Sequence, residues 1–243
     1  MNKKLQKEEQ QFLQGPRARW RELKYTLGAV MQFIKGFRAM HFIGPCVTVF
    51  GSARFTEDHP YYKLAREVSY KIAQLGFAIM TGGGPGIMEA ANRGAKDAGG
   101  YSIGCNILLA REQHINPYMD KFVTIDYFFV RKELLRKYSH AFIILPGGFG
   151  TLDEFFETVT LVQTKKMPYL PVILMGIDYH KALITHINTM IASNTISKED
   201  SEIILFTDKI EEVLEHIRKY SISGVDLKIK SNYKPISILG EKA

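Results

Sequence analysis

The sequence predicts an α/β protein: a doubly wound, mainly parallel sheet with helices on both faces, preceded by a helical N-terminal arm. Three observations predict it. From Gly44 onward, short apolar, β-rich runs alternate with longer helical segments. Glycine-rich turns stand where several of the strands hand over to a helix. The 243 residues, 46% of them hydrophobic, suffice for one sizeable core plus a terminal element.

Residues 1–43 read as the basic helical arm, 44–220 as the sheet-and-helix body and 221–243 as a polar C-terminal tail. Within the body, Cys46–Phe50 is the first strand. Tyr61–Leu75 is a helix closed by Gly76, a favourable C-cap. Phe77–Met80 is a strand, and Thr81-Gly82-Gly83-Gly84-Pro85-Gly86 turns it into the helix Ile87–Ala98. Tyr101–Ile107 and Lys121–Ile125 are strands joined by a polar loop, in which 111–120 reads as a lid or as a solvated loop. The spacing gives a helix over Tyr127–Ser139, a strand over Ala141–Leu145 and a helix over Leu152–Gln163. Pro171–Met175, Tyr179–Ile191, Ile203–Phe206 and Asp208–Tyr220 continue the alternation to its end.

The net charge of +7 is unevenly placed. Residues 1–45 carry nine basic side chains, among them Arg17, Arg19, Arg21, Lys24, Lys35 and Arg38, against Glu8, Glu9 and Glu22. Nearly all the excess therefore lies in the arm. A basic, partly apolar arm suits a solvated helix packed on the body. An anionic membrane or nucleic acid is the other reading. Cys46 and Cys105 both lie in apolar runs and read as buried thiols, which fits a reducing cytoplasm. The seven histidines are scattered, so no metal is expected. No membrane span or signal peptide is expected either.

Three strand-to-helix turns are equipped for an oxyanion. Gly51-Ser52-Ala53-Arg54 offers small residues, a hydroxyl and a cation. The run containing Gly83 and Gly84, which leads into Met88 and Glu89, permits close approach by a backbone or a ligand. The most specific is Pro146-Gly147-Gly148-Phe149-Gly150-Thr151-Leu152-Asp153-Glu154. Its backbone N–H groups, at a helix N-terminus, favour an anion. The dinucleotide fingerprint G-x-G-x-x-G is missing from the first turn, and no G-x-x-x-x-G-K-[ST] triphosphate loop occurs. The ligand to expect is a monophosphate. Arg131 falls in the first turn of its helix, where the dipole disfavours a cation. It either faces an anion or belongs to a solvated basic face. Glu154 and Glu157 share one helix face, either for the dipole or with one carboxylate in the site. A carboxylate beside C1′ can stabilise the positive charge that builds on ribose as an N-glycosidic bond breaks, and can activate water.

The run Pro146–Glu154 resembles the PGGxGTxxE signature of the LONELY GUY (LOG) family. Arg131-Lys132 resembles that family's RK pair, and Gly51-Ser52 and Thr81–Asn92 resemble further family segments. The resemblance covers about residues 44–220. It implies a Rossmann-like fold and a nucleotide-binding catalytic domain. The implied activity is that of a cytoplasmic phosphoribohydrolase, which hydrolyses AMP or a cytokinin riboside 5′-monophosphate to free base and ribose 5-phosphate. It also implies no cofactor, and a homodimer or larger assembly with the site near the subunit interface. Arg131 and Glu154 become the catalytic pair. Gly147, Gly148, Gly150 and Thr151 hold the 5′-phosphate on the N–H groups from Gly148 to Thr151, with Gly51 and Ser52 nearby. Gly83, Gly84, Met88, Glu89 and Lys132 complete the substrate-binding set, Met88 and Glu89 toward ribose or base. A non-catalytic nucleotide sensor or carrier of the same fold is the alternative. Relative to short plant-like members, the first 40 residues are an addition.

Overall fold

The computed structural model describes residues 19–107 and 115–222. Residues 1–18 of the arm, Arg111–His114 of the loop read as a lid, and the tail beyond Ile222 lie outside the described residues. Seven strands form one wholly parallel sheet in the order β4-β3-β2-β1-β5-β6-β7. They are β1 (Cys46–Phe50), β2 (Ala78–Thr81), β3 (Ser102–Ile107), β4 (Lys121–Ile125), β5 (Ser139–Ile144), β6 (Val172–Leu174) and β7 (Ile204–Phe206). The order reverses between β1 and β5, which pair through Val47–Ala141 to Phe50–Ile144. That reversal is the topological switch point, where a doubly wound sheet opens a crevice at its C-terminal edge.

The strands are apolar on both faces, as a sheet covered twice requires. Phe50, Phe142 and Ile144 point into one core with Met40, Val130, Leu134, Phe155 and Ile187. Those partners lie on α1 (Arg19–Met40), α4 (Phe128–Lys137), α5 (Phe149–Gln163) and α6 (Ile177–Ala192). Val47, Val49, Ala141 and Ile143 point the other way. They meet α2 (Pro60–Gln74), α3 (Ile87–Asp97) and α8 (Ile210–Ile217). A short α7 (Lys198–Ser201) and a π-helical turn (Arg218–Ile222) complete the described chain.

Several boundaries depart from the expected ones for physical reasons. The helix expected to run to Ser139 stops at Lys137, and Ser139 opens β5. Its hydroxyl donates to the Leu135 carbonyl at 2.5 Å, satisfying one of the acceptors a helix C-terminus leaves over. The helix expected from Leu152 begins at Phe149 with Gly148 as N-cap, so Gly150 sits inside its first turn. The short α7 went unread although Ser197 and Asp200 form a reciprocal capping box. The described part of the arm, from Arg19 on, contains one 22-residue helix, α1. It docks close to α4, because a side chain at Gly36 would overlap Leu134. Gln32 Nε2 donates to Asp126 at 2.6 Å and Lys35 Nζ to the Thr124 carbonyl at 2.7 Å.

Candidate active site

At the C-terminal edge of β1, β2, β3 and β5 a cleft of about 670 Å³ opens. Its walls are the three turns, the first turn of α4 and the start of α6. The turns are tied to one another. Ser52 N–H donates to the Pro146 carbonyl at 3.0 Å, and Ile87 N–H to the Ser52 carbonyl at 2.9 Å. The second turn is braced from behind by a buried polar network. Thr81 Oγ1 donates to Asn92 at 2.6 Å, Asn92 Nδ2 to Ser102 at 2.8 Å, and Asn116 Nδ2 to Asn92 and to the Gly84 carbonyl, each at 3.0 Å. All four of these side chains are buried.

Of the residues singled out from sequence, Gly51, Ser52, Gly84, Met88, Arg131, Gly147, Gly148, Gly150, Thr151 and Glu154 line this one cleft. Three others stand outside it. Gly83 packs toward Gly104 and Met119. Glu89 accepts a hydrogen bond from the buried Tyr62 hydroxyl at 3.0 Å. Lys132 bridges Asp153 at 3.0 Å and Glu157 at 2.5 Å, so it ties α4 to α5. The cradle also differs in detail from the expected one. Thr151 N–H is spent on the Gly148 carbonyl at 3.1 Å, as is Leu152 N–H. Thr151 therefore offers its hydroxyl, which has no partner among the described residues, rather than its amide.

Glu154 is 8% exposed. It sits on the second turn of α5, where the fold aims it into the cleft. Among the described residues no side chain hydrogen-bonds its carboxyl. Burial pushes its pKa up to about 7, with Arg131 and then Lys132 pulling the other way, and Glu157 and Asp153 adding to the rise. Arg131 comes from α4 on the opposite wall. Its Nε donates to the Cys105 carbonyl at 2.8 Å, which anchors the guanidinium and leaves its other nitrogens to the cleft. No ion pair joins Arg131 to Glu154 among the described residues; they act on each other across the cleft. Gly82 leaves room for this arginine, since a side chain there would overlap the guanidinium and stand 2.7 Å from Met88 Sδ.

Sequence reasoning missed Asn106, Phe128, Phe149 and Tyr179 as cleft residues, whereas Arg54, read as the cation of the first turn, lines the cleft. Tyr179 stands out among them. Its hydroxyl donates to the Gly147 carbonyl at 2.8 Å. A peptide unit is planar, so holding that carbonyl also orients the N–H of Gly148. The start of α6 is fixed in turn by Asp208, whose carboxylate accepts from Gly176 N–H at 2.5 Å and Ile177 N–H at 3.1 Å. The signal in the chain, a lone Gly176 after a three-residue strand, is too weak to flag it.

A family profile described as "Possible lysine decarboxylase" matches residues 88–217, the stretch holding Arg131 and the whole Pro146–Glu154 run. A cytokinin riboside 5′-monophosphate phosphoribohydrolase of Mycobacterium tuberculosis (strain ATCC 25618 / H37Rv) is 31% identical over 157 residues, 63% of this chain and 82% of its own length. The chain belongs to the LOG family. A probable cytokinin riboside 5′-monophosphate phosphoribohydrolase of rice (Oryza sativa subsp. japonica) is 28% identical over 72% of each chain. The LOG fold extends further in structure. The molybdenum cofactor carrier protein of Chlamydomonas reinhardtii superposes with a TM-score of 0.54 at 22% identity, covering 75% of this chain and 99% of that one. The molybdenum cofactor binding protein of Rippkaea orientalis gives 0.51 at 24%, covering 72% and 94%. Both likenesses speak for the Rossmann-like architecture. Among the described residues, no lysine lines the cleft. No described helix is long and apolar enough to cross a membrane.

Proposed function

We propose that this LOG-family chain is a phosphoribohydrolase that splits the N-glycosidic bond of a purine nucleoside 5′-monophosphate, AMP or its N6-prenylated riboside counterpart, into free base and ribose 5-phosphate. The observation that carries the reading is Glu154: a buried acid whose carboxyl has no hydrogen-bond partner among the described residues, opening into a cleft beside a glycine-rich helix N-terminus and opposite an anchored arginine. A protein that only held nucleotides would gain nothing from leaving such a group unpaired, because burying it costs stability.

The chemistry follows from the geometry. The 5′-phosphate docks on the free N–H groups at the start of α5 and on the Thr151 hydroxyl, with Ser52 alongside. That fixes the ribose over Glu154. As the base departs, positive charge develops at C1′, and an ionised Glu154 stabilises it and draws a proton from the attacking water. The water oxygen forms the new bond to C1′, and the C1′–N bond breaks with its electron pair leaving on the base. Arg131 holds the substrate from the opposite wall.

The test is release of free base from AMP and from N6-isopentenyladenosine 5′-monophosphate, followed by chromatography, with adenosine as control. Base release from the monophosphates and not from adenosine is expected, since the remote phosphate contacts supply the positioning. Equal rates on AMP and adenosine would refute the cradle. Tight AMP binding with no base release would make the protein a carrier or sensor.

A further inference from the structure

The phosphate turn is braced from outside the cleft. Three contacts join the start of α6 to the Pro146–Glu154 run and the strand before it. The Tyr179 hydroxyl donates to the Gly147 carbonyl at 2.8 Å. Gly176 lies against Pro146, since a side chain there would stand 2.4 Å from Pro146 Cγ, and its φ of +84° suits glycine alone. Met175 N–H donates to the Ile144 carbonyl at 2.8 Å. Where α6 starts therefore decides where the turn can stand. Yet α6 does not cap itself. Its N-cap is Gly176, which has no side chain to accept from the free N–H groups of the first turn. The cap comes from Asp208, which follows β7 in the chain. Its carboxylate accepts from Gly176 N–H at 2.5 Å and from Ile177 N–H at 3.1 Å. The residue before it is fixed in turn. Thr207 N–H donates to the Leu174 carbonyl at 3.2 Å, and Thr207 Oγ1 accepts from Lys209 N–H at 3.0 Å. Asp208 itself stands outside the cleft.

We propose that Asp208 is a positioning residue for the 5′-phosphate of the substrate, acting through α6 and Tyr179 on the N–H of Gly148. The proposal rests on the reading of the α5 start as the phosphate cradle. Asp208 caps α6 and so fixes its first turn. Tyr179 is the third residue of that turn, and the Tyr61 ring closes on it from α2 at 6.4 Å and 79°. Its hydroxyl then holds the planar unit between Gly147 and Gly148, which aims the Gly148 N–H. What Asp208 supplies is an acceptor in a fixed place. By charge alone a carboxylate disfavours a nearby phosphate, so its favourable effect on binding comes from geometry. Asparagine, which caps helices as well as aspartate does, replaces it in this role; a longer acid does not.

The experiment is a double-variant cycle on AMP affinity, read by titration calorimetry in the full chain carrying Glu154→Gln, so that binding is measured without turnover. Asp208→Ala is expected to weaken AMP binding about 2–10-fold, the range of one lost hydrogen bond. Combined with Tyr179→Phe it should weaken binding no further, because both changes release the same carbonyl. Asp208→Asn should hold the affinity within about twofold, whereas Asp208→Glu, which keeps the charge and displaces the acceptor by one methylene, should lose as much as Asp208→Ala. With Glu154 restored, Asp208→Ala should raise KM for AMP and leave kcat in place; a general loosening of the fold lowers kcat as well. Asp208 is exposed, and melting temperatures check each variant; the contrast of Asn with Glu carries the test if the alanine variant does not fold. Unchanged affinity in Asp208→Ala, losses that add in full with Tyr179→Phe, or an asparagine variant as weak as alanine each overturn the proposal. AMP binding without base release by the wild-type chain strikes the hydrolase reading alone, and the affinity ratios still judge Asp208. A wild-type chain that does not bind AMP removes the cradle and this proposal with it.

Discussion

Replacing Glu154 by glutamine separates what this residue costs the fold from what it does in the cleft. Burial raises its carboxyl from 4.5 to about 7. Each tenfold change in protonation is about 1.4 kcal/mol, so the ionised side chain burdens the folded state by about 3 kcal/mol. The sign is set by a raised folded-state pKa. Below pH 4.5 the acid is neutral in both folded and unfolded chains and costs nothing. Stability then falls as pH rises, and the full loss is reached above about 7. Glutamine stays neutral throughout, so Glu154→Gln should match wild type near pH 4 and exceed it by about 3 kcal/mol at pH 8. In a chain of this size that is roughly 6–12 °C in melting temperature. Calorimetric melts across pH 4–8 measure it. The same variant should lose about 10²–10³ in base release. A stability difference that does not change with pH, or a less stable variant at pH 8, would refute the reasoning.

Three further outcomes follow from the same geometry. Gly82→Ala should push the Arg131 guanidinium off its anchor at the Cys105 carbonyl and reduce kcat by about 10² with little change in melting temperature, as steady-state rates on AMP will test. Tyr179→Phe removes one hydrogen bond to the phosphate turn, so KM for AMP should rise about 2–10-fold while kcat holds, which initial-rate kinetics can separate. Lys132→Met removes a cation that lowers the Glu154 pKa and leaves Asp153 and Glu157 unneutralised; the acid limb of the kcat/KM profile should move to higher pH, and an unmoved limb would contradict the electrostatic reading.

The sheet was legible because its strands are short, apolar on both faces and punctuated by glycine, so the alternation of Cys46–Phe50 with Tyr61–Leu75 and its successors could not be mistaken for another class. The convergence of the three turns on one cleft was legible for the same reason, since parallel strands put their C-terminal ends together. Other features depend on side chains that meet only in three dimensions. Lys132 looks like a neighbour of Arg131 in the chain, but helical geometry turns it toward α5. Glu89 looks like a cleft acid beside Met88, yet one residue along a helix is a 100° turn, and it meets Tyr62. The double-faced α1 was hidden by its composition. Its charges average out the apolar residues Trp20, Leu23, Leu27 and Val30, which only the structure shows to be exposed among the described residues.

The separation of Arg131 from Glu154 is the feature that best distinguishes a working site from a structural ion pair. A direct contact at about 4 Å near a protein surface is worth about 4 kcal/mol. That would outweigh the effect of burial and hold Glu154 ionised and satisfied at every physiological pH. Instead, the Cys105 carbonyl holds the guanidinium through Nε and the second turn of α5 carries the acid, and no ion pair joins the two among the described residues. The charges are kept in place and apart, and what they lack can be supplied by a substrate that carries an anionic phosphate and develops a cationic ribose between them. The hydrogen bonds from Ser52 to Pro146 and from Ile87 to Ser52 fix the spacing of the turns around that gap before anything binds. Pre-set spacing of this kind lets electrostatic stabilisation act on the transition state without reorganisation at the moment of reaction.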